Sequence, residues 1–198
     1  MTFSSRLLAE IVYVVVVVCW ILFAVIFFVG KKGASRSDAK RATSSLLGLV
    51  LQCVAYAAVW VFPRPRFTAL VAMPEVAEAA VAIATMAIGL SSIWFCLAAV
   101  RALGRQWALE ARVIEGHELV MLGPYSVVRN PIYLGMFGLL VATGLAISHW
   151  QALVAAVVLF LAGNEIRIRS EEKLLREAFG AQFEEYARRV PAFFPRIF

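Results

Sequence analysis

Three stretches of the chain run for about twenty residues, a bilayer's worth of helix, without one charged side chain: residues 11–29, 43–62 and 79–100. In lipid a backbone must satisfy its own hydrogen bonds, so such runs fold as helices, and the alternating pattern of a membrane barrel is missing. Two shorter apolar runs follow, 132–148 and 150–163. The second has 14 residues, short for a full crossing. The pair predicts a helical hairpin turning at Ser148-His149-Trp150, its second arm continuing into polar sequence. The expected fold is all-α and integral to the membrane: three transmembrane helices plus a hairpin, five membrane helices in all, with a cytoplasmic C-terminal helix. The apolar fraction of 62% and charged fraction of 16% exclude a disordered chain and an ordinary soluble globule. The first run is too long for a signal-peptide core. It is followed by Lys31-Lys32 rather than small cleavage-site residues, so it reads as a retained span.

The positive charges predict sidedness. Of 19 lysines and arginines, 16 fall in loop 30–42, segment 101–130 and the tail after Gly163. Three spans and a hairpin put all of these on one face. Only Arg6, Arg64 and Arg66 lie opposite. The expected arrangement has the N-terminus outside and the C-terminus in the cytoplasm, in a plasma or inner membrane. The net charge of +6 is then a topology signal. No basic block is long enough for a nucleic-acid arm. Oligomeric state is not encoded in the pattern.

The polar residues divide the chain into a three-span region, 1–100, and a polar region, 101–198, built around the hairpin 131–163. The first three runs hold no charge, which disfavours a transporter or pump. Cys19, Cys53 and Cys96 lie one in each run without CxxC spacing and read as apolar filler. No metal set is read.

Before the hairpin lies a cluster from Gly116-His117 to Gly123-Pro124-Tyr125 and Arg129-Asn130-Pro131-Ile132-Tyr133. Asn130-Pro131 predicts a helix start, with Asn as cap and Pro in the first turn. Its free N–H groups, with Arg129 beside them, could hold a carboxylate or phosphate, or could simply start a helix at the interface. Gly135, Gly138 and Ala142 form a small-residue stripe open to a neighbouring helix or a ligand.

After the hairpin, a helix continuing through Phe179 places Ile168, Glu172, Leu175 and Phe179 on one face. Glu172 on that apolar stripe needs a cation, either Arg129 or a cationic ligand. Arg167 and Glu171 sit side by side at i, i+4. His149 reads as interfacial, at the turn.

Together these residues resemble the isoprenylcysteine carboxyl methyltransferase family, part of a wider group of integral-membrane methyltransferases that includes phospholipid N-methyltransferases. The resemblance lies in His117-x-Leu119-Val120-x-x-Gly123-Pro124-Tyr125-x-x-x-Arg129-Asn130-Pro131-x-Tyr133 and the later pair Glu171-Glu172, and covers roughly residues 100–198. The family commonly has His where this chain has Asn130. The resemblance implies S-adenosylmethionine as methyl donor. Its contacts would be His117, Leu119, Val120, Tyr125, Arg129, Asn130, Pro131, Ile132, Tyr133 and the pair Glu171-Glu172. Arg129 and the helix start would hold the methionine carboxylate, and a Glu its ammonium. Which Glu is open: the family suggests Glu171, and helix geometry gives Glu172 the more enclosed position. Arg167 would face the methyl acceptor, with Glu171 beside it as a catalytic group. The expected acceptor is a lipophilic carboxylate, isoprenylcysteine-like and reached from the bilayer. A phospholipid amine, a small lipophilic thiol, or a scaffold of the same fold without turnover are the alternatives. No GxGxxG follows a strand, which excludes the soluble doubly wound methyltransferase fold.

Overall fold

The computed structural model describes residues 3–30, 44–65, 68, 70–71, 73–104 and 119–195. Those residues form six α-helices and one short 3-10 turn. In chain order they are α1 (Phe3–Gly30), α2 (Ser44–Val61), α3 (Glu75–Leu103), the turn Gly123–Ser126, α4 (Pro131–Ile147), α5 (Trp150–Phe179) and α6 (Ala181–Arg189). Three are long and apolar enough to cross a membrane: α1, α3 and α5, over Arg6–Phe27, Glu75–Leu103 and Trp150–Phe179. The apolar stretches of α2 and α4, Leu46–Val61 and Pro131–Ile147, are shorter. Thus α5 reaches spanning length where its apolar arm alone does not. Its helix runs on without a break into polar sequence and stops at Gly180, whose φ of 48° suits glycine.

The outward surface is apolar. Val14, Ile21, Leu46, Val61, Trp94 and Val158 are all more than half exposed, on a scale that suits lipid and not water. Inside, α2 packs on α5 and α3 on α4, while α1 lies against α3 and α4. Tyr56 Oη donates to Met136 O at 2.8 Å. Trp20 Nε1 donates to Thr143 Oγ1 at 3.0 Å. These bonds satisfy polar groups that have no water to turn to.

The hairpin turns where expected. Ser148 and His149 separate α4 from α5, and the turn is stitched to the end of α2. His149 N donates to Phe62 O at 3.2 Å and Arg64 N to Ile147 O at 2.9 Å. Ser148 Oγ donates to Val59 O at 2.5 Å. Arg64, met in the sequence only as a charge, closes α4. Its guanidinium donates to Leu145 O at 2.7 Å, Ala146 O at 2.8 Å and Ser148 O at 2.8 Å, a cation on a helix C-terminus.

The small-residue stripe of α4 is taken by a helix. A Cβ on Gly135 would collide with Cys96 Sγ and lie 2.8 Å from Ser92 O on α3. Gly135→Val therefore forces α3 and α4 apart, at a cost of about 1–3 kcal/mol or more. Gly138→Ala meets first the rotatable Ser92 hydroxyl and is milder. Thermal unfolding in detergent should rank Gly135→Val well below Gly138→Ala. Equal melting would contradict this packing.

Candidate functional site

The site is built at the end of the bundle away from the hairpin turn, where α4 begins and α5 leaves its apolar arm. Adjacent residues on a helix point about 100° apart at 3.6 residues per turn, so Glu171 and Glu172 cannot share surroundings. Glu172 turns to the start of α4. Arg129 Nη2 lies 2.6 Å from Glu172 Oε1, and Nε donates to the same oxygen at 2.9 Å. Arg176, one turn on, reaches Glu172 Oε2 at 3.2 Å. Glu171, about 100° round α5 from Glu172, meets the first turn of α4 at Tyr133. It accepts a short hydrogen bond from Tyr133 Oη and pairs with Arg167 at 3.5 Å. The Arg167 guanidinium also stacks 5.1 Å from the centre of the Tyr133 ring. Glu172 is the more enclosed, its side chain 9% exposed against 23% for Glu171.

Arg129 is therefore the cation that the apolar stripe required for Glu172. Its commitment goes further. Nη1 donates to Ala187 O at 2.9 Å and to Val190 O. The guanidinium expected to hold a ligand carboxylate is spent on the protein's own carboxylate and on two carbonyls. Asn130 differs from expectation too. It occupies the N-cap position of α4, but its side chain makes no capping bond. Its Nδ2 donates instead to Ala192 O at 2.8 Å. The Arg129 and Asn130 amides reach Pro191 O at 2.8 Å and Ala192 O at 3.1 Å. The chain after α6 is thus a strap, 190–194, laid along the start of α4. Phe193 anchors it in the core with Tyr133, Leu140 and Phe160.

A cleft opens beside this arrangement. It is lined by Leu119, Val120, Tyr125, Arg129, Asn130 and Glu172, with Leu103, Leu175, Phe183 and Tyr186. Six site residues named from the sequence meet there. Pro131 is buried and Ile132 half-buried at the first turn of α4. Tyr133 and Glu171 belong to the neighbouring group around Arg167. His117 lies outside the described residues.

Tyr186 Oη donates to Tyr125 O at 2.6 Å, which fastens α6 to the 3-10 turn. Burial pushes the Tyr186 hydroxyl up to about 12, with Arg129 pulling it back and Glu172 adding to the rise. Burial likewise raises Tyr125, reinforced by Tyr186, Glu171 and Cys96. Both phenols are neutral donors near pH 7, walls of the cleft rather than bases.

Sequence reasoning missed three contributors: Gln52, Asn164 and the strap. Gln52 and Asn164 are 1% and 2% exposed. Their signal was an amide inside or bordering an apolar run, a costly placement that asks for a reason.

The profile described as phospholipid methyltransferase matches residues 79–182. The chain is 41% identical over 98 residues to the nickel-cobalt-cadmium resistance protein NccN of Alcaligenes xylosoxydans xylosoxydans, covering 48% of this chain and 44% of that protein. It is 34% identical over 89 residues to protein-S-isoprenylcysteine O-methyltransferase B of Arabidopsis thaliana, covering 45% of each. It is 35% identical over 78 residues to methanethiol S-methyltransferase 2 of Bradyrhizobium diazoefficiens, covering 37% of this chain and 27% of that protein. The matched stretches span less than half the length of these relatives. The profile covers more than half of this chain and contains both carboxylates with their arginines: the chain belongs to the phospholipid methyltransferase family.

Proposed function

We propose that the protein is an S-adenosylmethionine-dependent methyltransferase of the membrane that methylates a carboxylate on a lipophilic, isoprenylcysteine-like acceptor. The observation that carries the reading is the adjacency of the Arg167–Glu171–Tyr133 group to a cleft whose apolar walls meet the Arg129–Glu172 pair. In this reading 1–100 is the membrane region, crossed three times, and 101–198 the catalytic region, with five membrane helices in total. The N-terminus lies outside, and the site and C-terminus face the cytoplasm.

The residues fit the donor by their chemistry. Leu103, Leu119, Val120, Leu175 and Phe183 offer apolar walls to a purine, and Glu172 offers a carboxylate beside them. The first-turn N–H groups of α4 have no partner within the helix and suit the methionine carboxylate. Leu119, Val120, Tyr125, Asn130, Pro131, Ile132, Tyr133 and the Glu pair would hold the group, with His117 joining from its own segment. Arg129 acts here as the brace that sets Glu172 and the strap. S-adenosylmethionine, when bound, supplies a methyl already activated on sulfur. The protein's task is then to align and desolvate the partners. Arg167 orients the acceptor carboxylate, and Glu171 with Tyr133 holds Arg167 in place. A carboxylate acceptor needs no general base.

A thiol acceptor is the second reading, supported by the likeness to the methanethiol methyltransferase. The direct test of the cofactor is calorimetric binding of S-adenosylhomocysteine to the detergent-purified protein. Binding is expected, with a loss of about tenfold or more in Glu171→Gln or Glu172→Gln, as for a hydrogen bond to a charged group. A parent that binds none is a scaffold, and the proposal fails.

A further inference from the structure

The family profile begins at residue 79, so α2 lies outside it. Yet α2 delivers a buried polar side chain to the Arg167 group. The delivery depends on a tight crossing. A Cβ on Gly48 would lie 2.6 Å from Gly163 O and 2.6 Å from Arg167 Cγ, and only glycines let the two helices approach so closely. Gln52 sits one turn along α2 from Gly48, as Arg167 sits one turn along α5 from Gly163. Gln52 Oε1 accepts from Arg167 Nη1 at 3.4 Å. A guanidinium has no acceptor, so it is the amide oxygen and not the nitrogen that meets Arg167 Nη1. Gln52 Nε2 has no partner among the described residues. Nor has Asn164 Oδ1, on α5 three residues before Arg167.

Two buried amide atoms without partners are too costly to be idle. They need ordered water or the polar head of a ligand. We infer that Gln52 Nε2 is a second hydrogen-bond donor beside Arg167 for an oxygen of the acceptor carboxylate, and that Asn164 Oδ1 accepts from an N–H of the same acceptor. This rests on the methyl-transfer reading of the site. An amine head would meet the like charge of Arg167, and a thiol is a weak acceptor for two N–H donors. In the transfer, a carboxylate oxygen lone pair forms the O–CH3 bond. The pair of the breaking S–CH3 bond stays on sulfur, and no proton moves. The products are a methyl ester and a thioether.

The test uses the full chain in detergent, labelled S-adenosylmethionine and N-acetyl-S-farnesylcysteine as probe. Gln52→Glu keeps an oxygen for Arg167 and removes the donor. Gln52→Leu removes both, and a detergent melt checks that the fold survives the loss of the Arg167 Nη1 partner. Both variants should raise the KM for the probe by about tenfold or more, with S-adenosylhomocysteine affinity within about twofold of the parent, as the loss of one hydrogen bond to a charged group predicts. A parental KM in Gln52→Glu would show that Gln52 only braces Arg167. A parental KM in Gln52→Leu would show that the site holds water alone. Either result overturns the inference. So does a parent that binds S-adenosylhomocysteine but leaves the probe unmethylated. A parent that does not bind S-adenosylhomocysteine overturns the methyltransferase reading itself.

Discussion

Arg129→Ala should unfold well below the parent in a detergent melt. The substitution removes both guanidinium bonds to Glu172, at 2.6 Å and 2.9 Å, and leaves a carboxylate that is 9% exposed. Arg176, 44% exposed, is a poor substitute. Breaking one side of a buried pair costs about 3–5 kcal/mol, on the order of 10 °C at roughly 2–4 °C per kcal/mol. The strap also loses its bonds at Ala187 O and Val190 O. A control follows from the same physics. Replacing both partners together, Arg129→Met with Glu172→Met, leaves no orphaned charge and should melt above Arg129→Ala. The double variant should still fail to bind S-adenosylhomocysteine, since Glu172 lines the cleft. If Arg129→Ala melts with the parent, the Arg129–Glu172 pair is not what ties α4, α5 and the strap together.

Arg167→Ala should lower turnover by about 10²–10³-fold, the usual loss when one preorganised charged donor is removed from a reaction centre. S-adenosylhomocysteine binding should stay close to parental. The guanidinium is held by Glu171 at 3.5 Å, Gln52 at 3.4 Å and the Tyr133 ring at 5.1 Å, among others. Glu171 keeps its Tyr133 bond and some solvent when the arginine is gone, so the helix survives. Arg167→Lys should rescue little, because an ammonium lacks the planar fork that fits a carboxylate. Full turnover in Arg167→Ala would remove the residue from the acceptor site.

Features that follow from local rules could be read from the chain. The hairpin turn at Ser148-His149 marks the break between two apolar runs. The end of α5 falls before Gly180. The enclosed position of Glu172 follows from the 3.6-residue period, and its need for Arg129 follows from the cost of a bare buried charge. What resisted reading was pairing between distant segments. Nothing near Gln52 says that Gly48 and Gly163 bring it onto Arg167. Arg64 looks like a flanking charge until the end of α4 arrives beside it. Asn130 carries the signature of an N-cap, but the carbonyl of Ala192 claims its side chain. The strap itself comes from 61 and 62 residues downstream of the side chains it meets, Arg129 and Asn130. The same holds for Arg129: local sequence shows a cation at a helix start and not the carbonyls of Ala187 and Val190 that it also meets.

The nature of the acceptor is read most directly from the chemical fate of a labelled methyl group. Purified protein, labelled S-adenosylmethionine and N-acetyl-S-farnesylcysteine are incubated, and the extracted product is treated with mild base. A base-labile label released as methanol is expected, since a methyl ester hydrolyses and an N-methyl or S-methyl group does not. Label that enters a lipid extract but resists base would contradict the carboxylate acceptor, and absence of any transfer would contradict the enzyme.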